Sequence, residues 1–223
     1  MLESIKYLVV KKIYADHNDA APVRFAVRGL LDALPIDGIG VNVGAGRTRL
    51  DPRIRNMELE PGEGIDVVGS VESMPFESGS IDLVIAQEVL EHVGSPDVAV
   101  REVHRVLKQG GVAYIQLPFV IGYHPCPQDY WRFTHEGIGR LVESENFDVV
   151  RTGMSVGPAV GFYRIFVEFL SIFASVIFPK VYRPAKFLFS ILLYPLKWLD
   201  PLLKRSDQAC RIAGGYFVIC RKK

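Results

Sequence analysis

Gly44 and Gly46 close a short apolar run, Val41-Asn42-Val43, and that order of residues suits holding a ligand against bare backbone. A buried strand ending in Gly-x-Gly can turn sharply, because glycine adopts conformations closed to other residues and leaves no Cβ where a ligand must approach. The pattern points to a nucleotide-type cofactor, and the residues that follow narrow the choice. A dinucleotide site would carry a third glycine at position 49 and then an apolar helix to receive the pyrophosphate. Arg49 stands there instead, and the charged stretch Arg47-Thr48-Arg49-Leu50-Asp51-Pro52-Arg53 is broken by Pro52, so no well-packed helix begins. The Lys-Ser/Thr pair of a P-loop is also missing. A cofactor without phosphates, S-adenosylmethionine (SAM), suits the turn better.

The elements that must position this turn are legible from periodicity. Residues Pro22 to Leu34 place Val23, Ala26, Val27, Leu30, Leu31 and Leu34 at helical spacing, ended by Pro35 and Gly38. Ile65 to Val68 and Ile81 to Ala86 read as strands buried on both faces of a parallel sheet. A helix is expected from Pro96, a first-turn residue, to Lys108, stopped by Gly110-Gly111 and followed by a strand over Val112 to Leu117. Phe147 to Arg151 and Tyr216 to Cys220 read as further strands. Strands alternating with helices give an α/β fold with its ligand at the carboxyl ends of the strands.

Composition is that of an ordinary globular chain of 223 residues with net charge +1, but the charge is unevenly spread. Residues 1–150 carry 14 Lys/Arg against 22 Asp/Glu, whereas 151–223 carry 12 against 3, so −8 faces +9. The positive part contains a stretch from Ala159 to Leu203 rich in Phe, Leu and Ile that breaks the strand-helix rhythm. A spanning helix needs about 20 predominantly apolar residues, and the longest uncharged run, Phe169 to Pro179, has 11. Arg164 and Glu168 interrupt it upstream, and Lys180, Arg183 and Lys186 downstream. The expectation is a helical insertion, cut by Pro179, Pro184, Pro195 and Pro201, that lies on a bilayer or covers the active site. Packing on the sheet or a dimer interface is the plainer alternative. Nucleic acid is a poor partner, since the basic residues alternate with Leu and Phe rather than with stacking or groove-reading motifs. Cys126, Cys210 and Cys220 lack metal-type spacing, and no disulfide framework is expected. The N-terminus, with an early acid and only a short apolar patch at Tyr7 to Val10, carries no signal-peptide pattern, which makes the cytoplasm the expected compartment.

Several blocks in order resemble the class I SAM-dependent methyltransferases, in particular the methyltransferase type 11 group. They are Val41 to Gly46; Met74-Pro75-Phe76 before Ser80 to Val84; Glu88-Val89-Leu90-Glu91-His92-Val93; and Arg101 to Gly111. The resemblance is close over residues 35–120. It implies a Rossmann-like, doubly wound, mostly parallel seven-stranded sheet with the hydrophobic insertion before the last strand. The implied organisation is a SAM-binding core over 1–158, the insertion over 159–205 and a completing strand over 206–223. Position by position it makes Gly44 and Gly46 the floor beneath the cofactor's methionine moiety and Glu58 the acceptor of the ribose hydroxyls. Ser70 and Val71 fall at the adenine edge, and Gln87 lies near the reactive methyl. Asn42, where an acid is common, Thr48 in place of a glycine, and Ser70 in place of a frequent Asp are departures that retain hydrogen-bonding capacity.

In this family the loop after the fifth strand binds the acceptor, here Tyr123 to His135. His124 is the candidate base, Asp129 its orienting partner, and Arg132 a bidentate anion binder, against the plainer reading of Arg132 paired to a carboxylate. Glu88, Glu91 and His92, at i, i+3 and i+4, would share a helix face, and with His124 they resemble a metal-ligand set found in some RNA and quinone methyltransferases, with Mg²⁺ as the expected ion. The leading expectation is a methyltransferase at the cytoplasmic face of a membrane, acting on a hydroxyl or other nucleophile of a lipid-linked or glycan acceptor. The alternatives are a soluble small-molecule methyltransferase whose insertion is a lid, and a non-catalytic SAM-fold protein that binds a partner.

Overall fold

The computed structural model describes residues 17–46 and 48–223; the reading of the N-terminus falls outside that range. The chain divides into two compact units. One comprises residues 24–118, 124–153 and 216–223; the other, among the described residues, 17–23, 119–123 and 154–215.

The first unit is built on a seven-stranded sheet. Its strands are β1 (Gly40–Val43), β2 (Ile54–Glu58), β3 (Val67–Val68), β4 (Ile81–Gln87), β5 (Leu107–Pro118), β6 (Phe147–Val156) and β7 (Gly215–Lys222), in the order β3-β2-β1-β4-β5-β7-β6. β1 runs parallel to both β2 and β4, with Asn42 opposite Asn56 on one side and Ile85 on the other. The strand order therefore reverses between β1 and β4. A crevice opens at such a switch point, beyond the carboxyl ends of the strands, and that is where open α/β sheets bind ligands. All four residues of β1 are buried, as are Leu83 to Ala86 of β4, in keeping with apolar runs covered on both faces.

The helices are α1 (Ala21–Ala33), α2 (Pro96–Val106) and α3 (His135–Glu143). Ala99, Val100, Val103 and Val106 put one buried stripe on α2, while Thr134 Oγ1 caps α3 by accepting from Gly137 N at 3.0 Å. α2 ends two residues earlier than its sequence suggests, and Gly110-Gly111 is not its stop signal. Leu107 is already extended and opposite Ile81. The ladder then shifts register before Leu83 meets Val112, and Gly110, at φ 75°, absorbs the irregularity. The strand expected over Ile65 to Val68 shortens to two residues, and the one expected over Phe147 to Arg151 extends to Val156.

The second unit is helical: α4 (Pro158–Ile177), α5 (Tyr182–Leu192) and α6 (Asp200–Leu203), linked by 3₁₀ turns at Pro179–Val181 and Tyr194–Leu199, with another at Ala209–Ile212. The prolines start these elements rather than cut them. Pro158, Pro179, Pro195 and Pro201 sit at first or second positions, where the missing N–H has no helical partner to lose, and Pro184 falls within the first turn of α5. Arg164 and Glu168 lie inside α4 without interrupting it. Glu168 is neutralised by Lys186 Nζ at 2.7 Å and bonded by the Tyr182 hydroxyl. With 20 residues and a mean hydropathy of 1.8 over its best window, α4 is long and apolar enough to cross a membrane by length and composition, although only 28% of that window is buried. The 11-residue uncharged run therefore understates the helix.

Asp200 fixes the start of α4. Its carboxylate accepts from Gly157 N at 3.1 Å, Ala159 N at 2.8 Å and Val160 N at 3.3 Å, donors that the first turn of a helix cannot satisfy internally. Asp200→Ala should lower the urea-unfolding stability by about 1–2 kcal/mol, as removal of an N-terminal cap does, whereas Asp200→Asn keeps the acceptor and most of the stability.

Candidate active site

A cavity of about 380 Å³ lies in the first unit, at the carboxyl ends of β1, β2 and β4, within the ~300–1,000 Å³ usual for small-molecule sites. Val43, Gly44, Glu58, Ser70 and Val71 form one side of it; Glu88, Val89, His92, Gln128 and Tyr130 form the other.

The glycine turn is built as its residue types require. Gly44 and Gly46 have φ of 61° and 54°, in the left-handed region. A Cβ on Gly44 would also run into Val89 Cγ2, whereas Gly46 has open space around it, so close approach constrains only the first. Gly46 N donates to Glu58 Oε1 at 2.6 Å. That bond ties the turn to the end of β2 and leaves the second carboxylate oxygen to accept from a ligand's hydroxyls. Asn42 does not reach the cavity wall. It is buried in β1, where its Nδ2 donates to the Thr48 carbonyl at 3.4 Å while Thr48 N bonds Ala45 O at 3.0 Å. The two departures at the turn are thus partners, an amide serving a carbonyl where a carboxylate would repel it. Gln87 ends β4 outside the lining.

Glu88 to Ser95 form a turn rather than the helix implied by the i, i+3, i+4 spacing. Glu88 takes φ 57°, and α2 begins only at Pro96. The turn still gathers part of the expected set. Glu91, His92 and His124 bring one ligand atom each within 4.8 Å of one another; Glu88 is not among them. Both imidazole Nε2 atoms approach Glu91 Oε1, from 3.6 Å for His92 and 3.8 Å for His124. Glu91 is fully buried and neither carboxylate oxygen has a hydrogen-bond partner. Burial pushes its carboxyl up from the ordinary value, and the charge of Glu88 adds to this against the pull of His124. His92 Nδ1 lies 2.6 Å from the Gln128 carbonyl. A carbonyl only accepts, so Nδ1 holds a proton, and a ring with that proton alone turns the lone pair of Nε2 towards Glu91. Two lone pairs facing each other is unfavourable, so this pocket of side chains binds a proton or a cation. Two imidazoles and a carboxylate suit a transition ion such as Zn²⁺ better than Mg²⁺, which prefers oxygen ligands.

Glu88 itself belongs to a polar chain running from the core: Tyr114 Oη donates to Gln116 Oε1 at 2.9 Å, and Gln116 Nε2 donates to Glu88 Oε1 at 3.0 Å. Burial holds the Tyr114 hydroxyl well above its ordinary pKa, so it stays protonated.

The loop after β5 docks on this turn. Tyr130 N and Trp131 N share the Glu91 carbonyl at 2.8 and 3.3 Å, and Trp131 Nε1 donates to Val93 O at 3.0 Å. Asp129, half-buried as a residue but with its side chain covered, orders the loop by accepting from His124 N at 2.9 Å, with His124 Nδ1 3.4 Å away. Arg132 uses its planar fork on Asp129, at 2.5 and 2.6 Å. The structure thus places His124 beside Asp129, with Nε2 turned to Glu91 rather than to the cavity, and spends the bidentate capacity of Arg132 within the loop. Glu88, His92, Gln128 and Tyr130 are among the turn and loop residues on the cavity wall; the sequence singled out the first two as metal ligands and held the other two only as members of the acceptor loop. The available signal was Pro96: a first-turn proline there already sets residues 88–95 ahead of the helix, at the end of a strand beside the switch point.

A family model described as a methyltransferase domain matches residues 47–115. An uncharacterised 37.1 kDa protein in transposon Tn4556 of Streptomyces fradiae is 30% identical over 82 residues, 37% of this chain; the match spans about a quarter, 24%, of that protein. Among solved structures, a putative sarcosine dimethylglycine methyltransferase from Galdieria sulphuraria superposes with a TM-score of 0.56 at 16% identity, covering 91% of this chain and 86% of that one. The phosphoethanolamine N-methyltransferase 2 of Haemonchus contortus, solved with phosphomonomethylethanolamine and S-adenosylhomocysteine, gives a TM-score of 0.53 at 13% identity over 92% of this chain and 53% of that one.

Two outcomes test this geometry. Gly44→Ala, which meets Val89 and strains the turn, should weaken ligand binding in the cavity by more than tenfold in calorimetric titration, and Gly46→Ala by less, since it meets only the conformational penalty of about 1 kcal/mol. Arg132 lowers the Asp129 carboxyl to about 2, below its ordinary value. The ion pair therefore stabilises the loop fully above about pH 4 and loses that contribution as pH falls towards 2. In a Trp198→Phe background, Trp131 fluorescence should report loosening over that acid window, and Asp129→Asn should remove the transition.

Proposed function

We propose that this chain, a class I SAM-dependent methyltransferase by fold and matched domain whose cofactor is SAM, methylates a hydroxyl-bearing acceptor, with Glu91, His92 and His124 managing the acceptor's proton. The observation that carries this reading is the buried Glu91 carboxylate, unbonded at both oxygens, with two imidazole Nε2 atoms converging on it beside the cavity.

When bound, SAM supplies an electrophilic sulfonium methyl. Gly44 and Gly46 let the backbone approach it, and Glu58 receives its hydroxyls, a role supported by the Gly46 bond that fixes that carboxylate in place. Val89, held over Gly44, closes the apolar side and keeps water from the reacting atoms. The acceptor enters from the side of His92, Gln128 and Tyr130. Its hydroxyl must give up a proton, and the Glu91–His92–His124 group, in the form that has released its shared proton to solvent, offers a place for it. Glu91, with its carboxyl pushed up by burial, is a better proton acceptor than an ordinary carboxylate. Catalysis otherwise rests on orientation, which the rigid docking of the loop on the Glu91 carbonyl supplies.

The same three side chains support a second reading, because an orphaned buried carboxylate beside two imidazoles is also what a divalent ion would need. Glu91, His92 and His124 would then hold that ion, whose positive charge would lower the acceptor's pKa. As to the acceptor, the helical unit's apolar, basic composition favours a lipid-linked or glycan substrate at the cytoplasmic face of a membrane over a soluble small molecule.

Calorimetric titration with SAM should show micromolar binding; none at high micromolar concentration would leave a non-catalytic partner-binding protein. With radiolabelled SAM and a total membrane extract, label should enter the organic-soluble or glycan fraction. Glu91→Gln should cut that rate at least tenfold while SAM affinity stays within about twofold. Elemental analysis of the purified chain, with Glu91→Gln and His124→Ala as controls, distinguishes a bound ion from a shared proton.

A further inference from the structure

We infer that the helical unit docks on an anionic lipid bilayer through the outer stripe of α4 and the tip of the α4–α5 hairpin. α4 buries one face within its own unit, through Ala159, Tyr163, Val167 and Ser171 at four-residue spacing. Its other face carries Phe162, Ile165, Phe169, Ile172, Phe173 and Val176, spaced three and four apart as one helical stripe, all exposed. The stripe runs into the tip, where Ile177 and Phe178 are 62% and 64% exposed, and α5 continues it with Phe187, Leu188, Ile191 and Leu192. Scattered exposed apolar side chains are normal on a soluble surface; a stripe of this extent marks an interaction site.

Charge selects the partner. Lys180 and Arg183 stand exposed on the tip, immediately beyond Ile177 and Phe178. Residues 154–215 hold eight Lys/Arg against three Asp/Glu, and two of those acids are engaged, Glu168 by Lys186 and Asp200 by Lys204 and the start of α4. A basic rim around an apolar stripe matches anionic headgroups above hydrocarbon, and exposed Trp198 is of the type that settles at that boundary. A symmetric second copy would set the same cationic patch against itself. Length selects the mode. α5, at about 16 Å, falls well short of the ~30 Å hydrocarbon core, and α4 is already packed along one side. The hairpin therefore lies at the interface with its tip inserted rather than crossing.

The surface is independent of the methyl-transfer chemistry, so its failure would leave the SAM-dependent reading intact and remove only the membrane-face acceptor, which rests on the same helical unit. The test is co-sedimentation of the full chain with vesicles of phosphatidylcholine alone or mixed with phosphatidylglycerol. The chain should pellet with the mixed vesicles and much less with the neutral ones. The double variant K180E/R183E should bind the mixed vesicles about thirtyfold more weakly. The variant I177D/F178D, altered only at exposed positions, should stay in the supernatant while retaining SAM binding. The inference is overturned if the wild-type chain ignores both vesicles, if I177D/F178D pellets like wild type, or if light scattering shows a lipid-free dimer that this variant dissolves while no vesicle is bound.

Discussion

The chain leaves β4 through a residue in the left-handed region, and the whole of the candidate site hangs from that turn. Glu88 is neither glycine nor asparagine, and holding it at φ 57° costs about 1–3 kcal/mol unless its surroundings compensate. They do so at both ends of the residue. Its N–H bonds the Gln116 carbonyl at 3.0 Å, prolonging the β4–β5 ladder, and its carboxylate takes the Gln116 amide. From there each residue has one destination: Val89 over Gly44, Leu90 into the core, Glu91 inward beneath two histidines, and His92 onto the cavity wall. Had residue 88 continued into a helix, the Glu91 carbonyl would have been taken by the helix and unable to receive the loop's N–H groups.

The cost of this arrangement is concentrated in Glu91. A carboxylate wholly removed from water, with neither oxygen hydrogen-bonded, is destabilising unless it is neutralised by a proton or a cation. The fold keeps it there by docking the loop after β5 directly on its backbone, and Asp129 and Arg132 stiffen that loop. The strong ion pair thus works at one remove: it fixes the carrier of His124 and leaves the two imidazoles their longer contacts with Glu91. A group displaced from its ordinary protonation equilibrium and sitting next to a cavity is the usual mark of a functional site.

Much of this is legible in the sequence. The alternation of strands and helices and the role of Gly44 and Gly46 as the turn follow from local pattern, because each depends on residue type at fixed spacing along one element; Glu58 at the end of β2 is reached only through the resemblance, position by position. What failed to show depends on partners distant in sequence. The spacing of Glu88, Glu91 and His92 suggests a helix face, but the bonds from Gln116 hold the first of them in another conformation. Arg132 has the right chemistry for an external anion, and only the fold shows Asp129 occupying it. Asn42 and Thr48 look like two independent weakenings of the turn until the amide is found donating to the carbonyl. Glu168 of α4 looks like an interruption in the sequence because the groups that engage it, the Lys186 ammonium and the Tyr182 hydroxyl, lie in the next helix.

The polar chain through Gln116 has a direction. A carboxylate accepts only, so the nitrogen of the Gln116 amide faces Glu88 and its oxygen faces Tyr114, whose hydroxyl, kept protonated by burial, donates to it. A side-chain amide is otherwise symmetrical enough to be turned over at little cost. Here the carboxylate on the cavity wall sets its sense, and one hydroxyl buried in the sheet supports that sense by donating to the amide's other end. A tyrosine that does not line the cavity thereby helps to hold the amide that holds Glu88, so the loss of the hydroxyl at position 114 would be felt at the cavity wall through two hydrogen bonds.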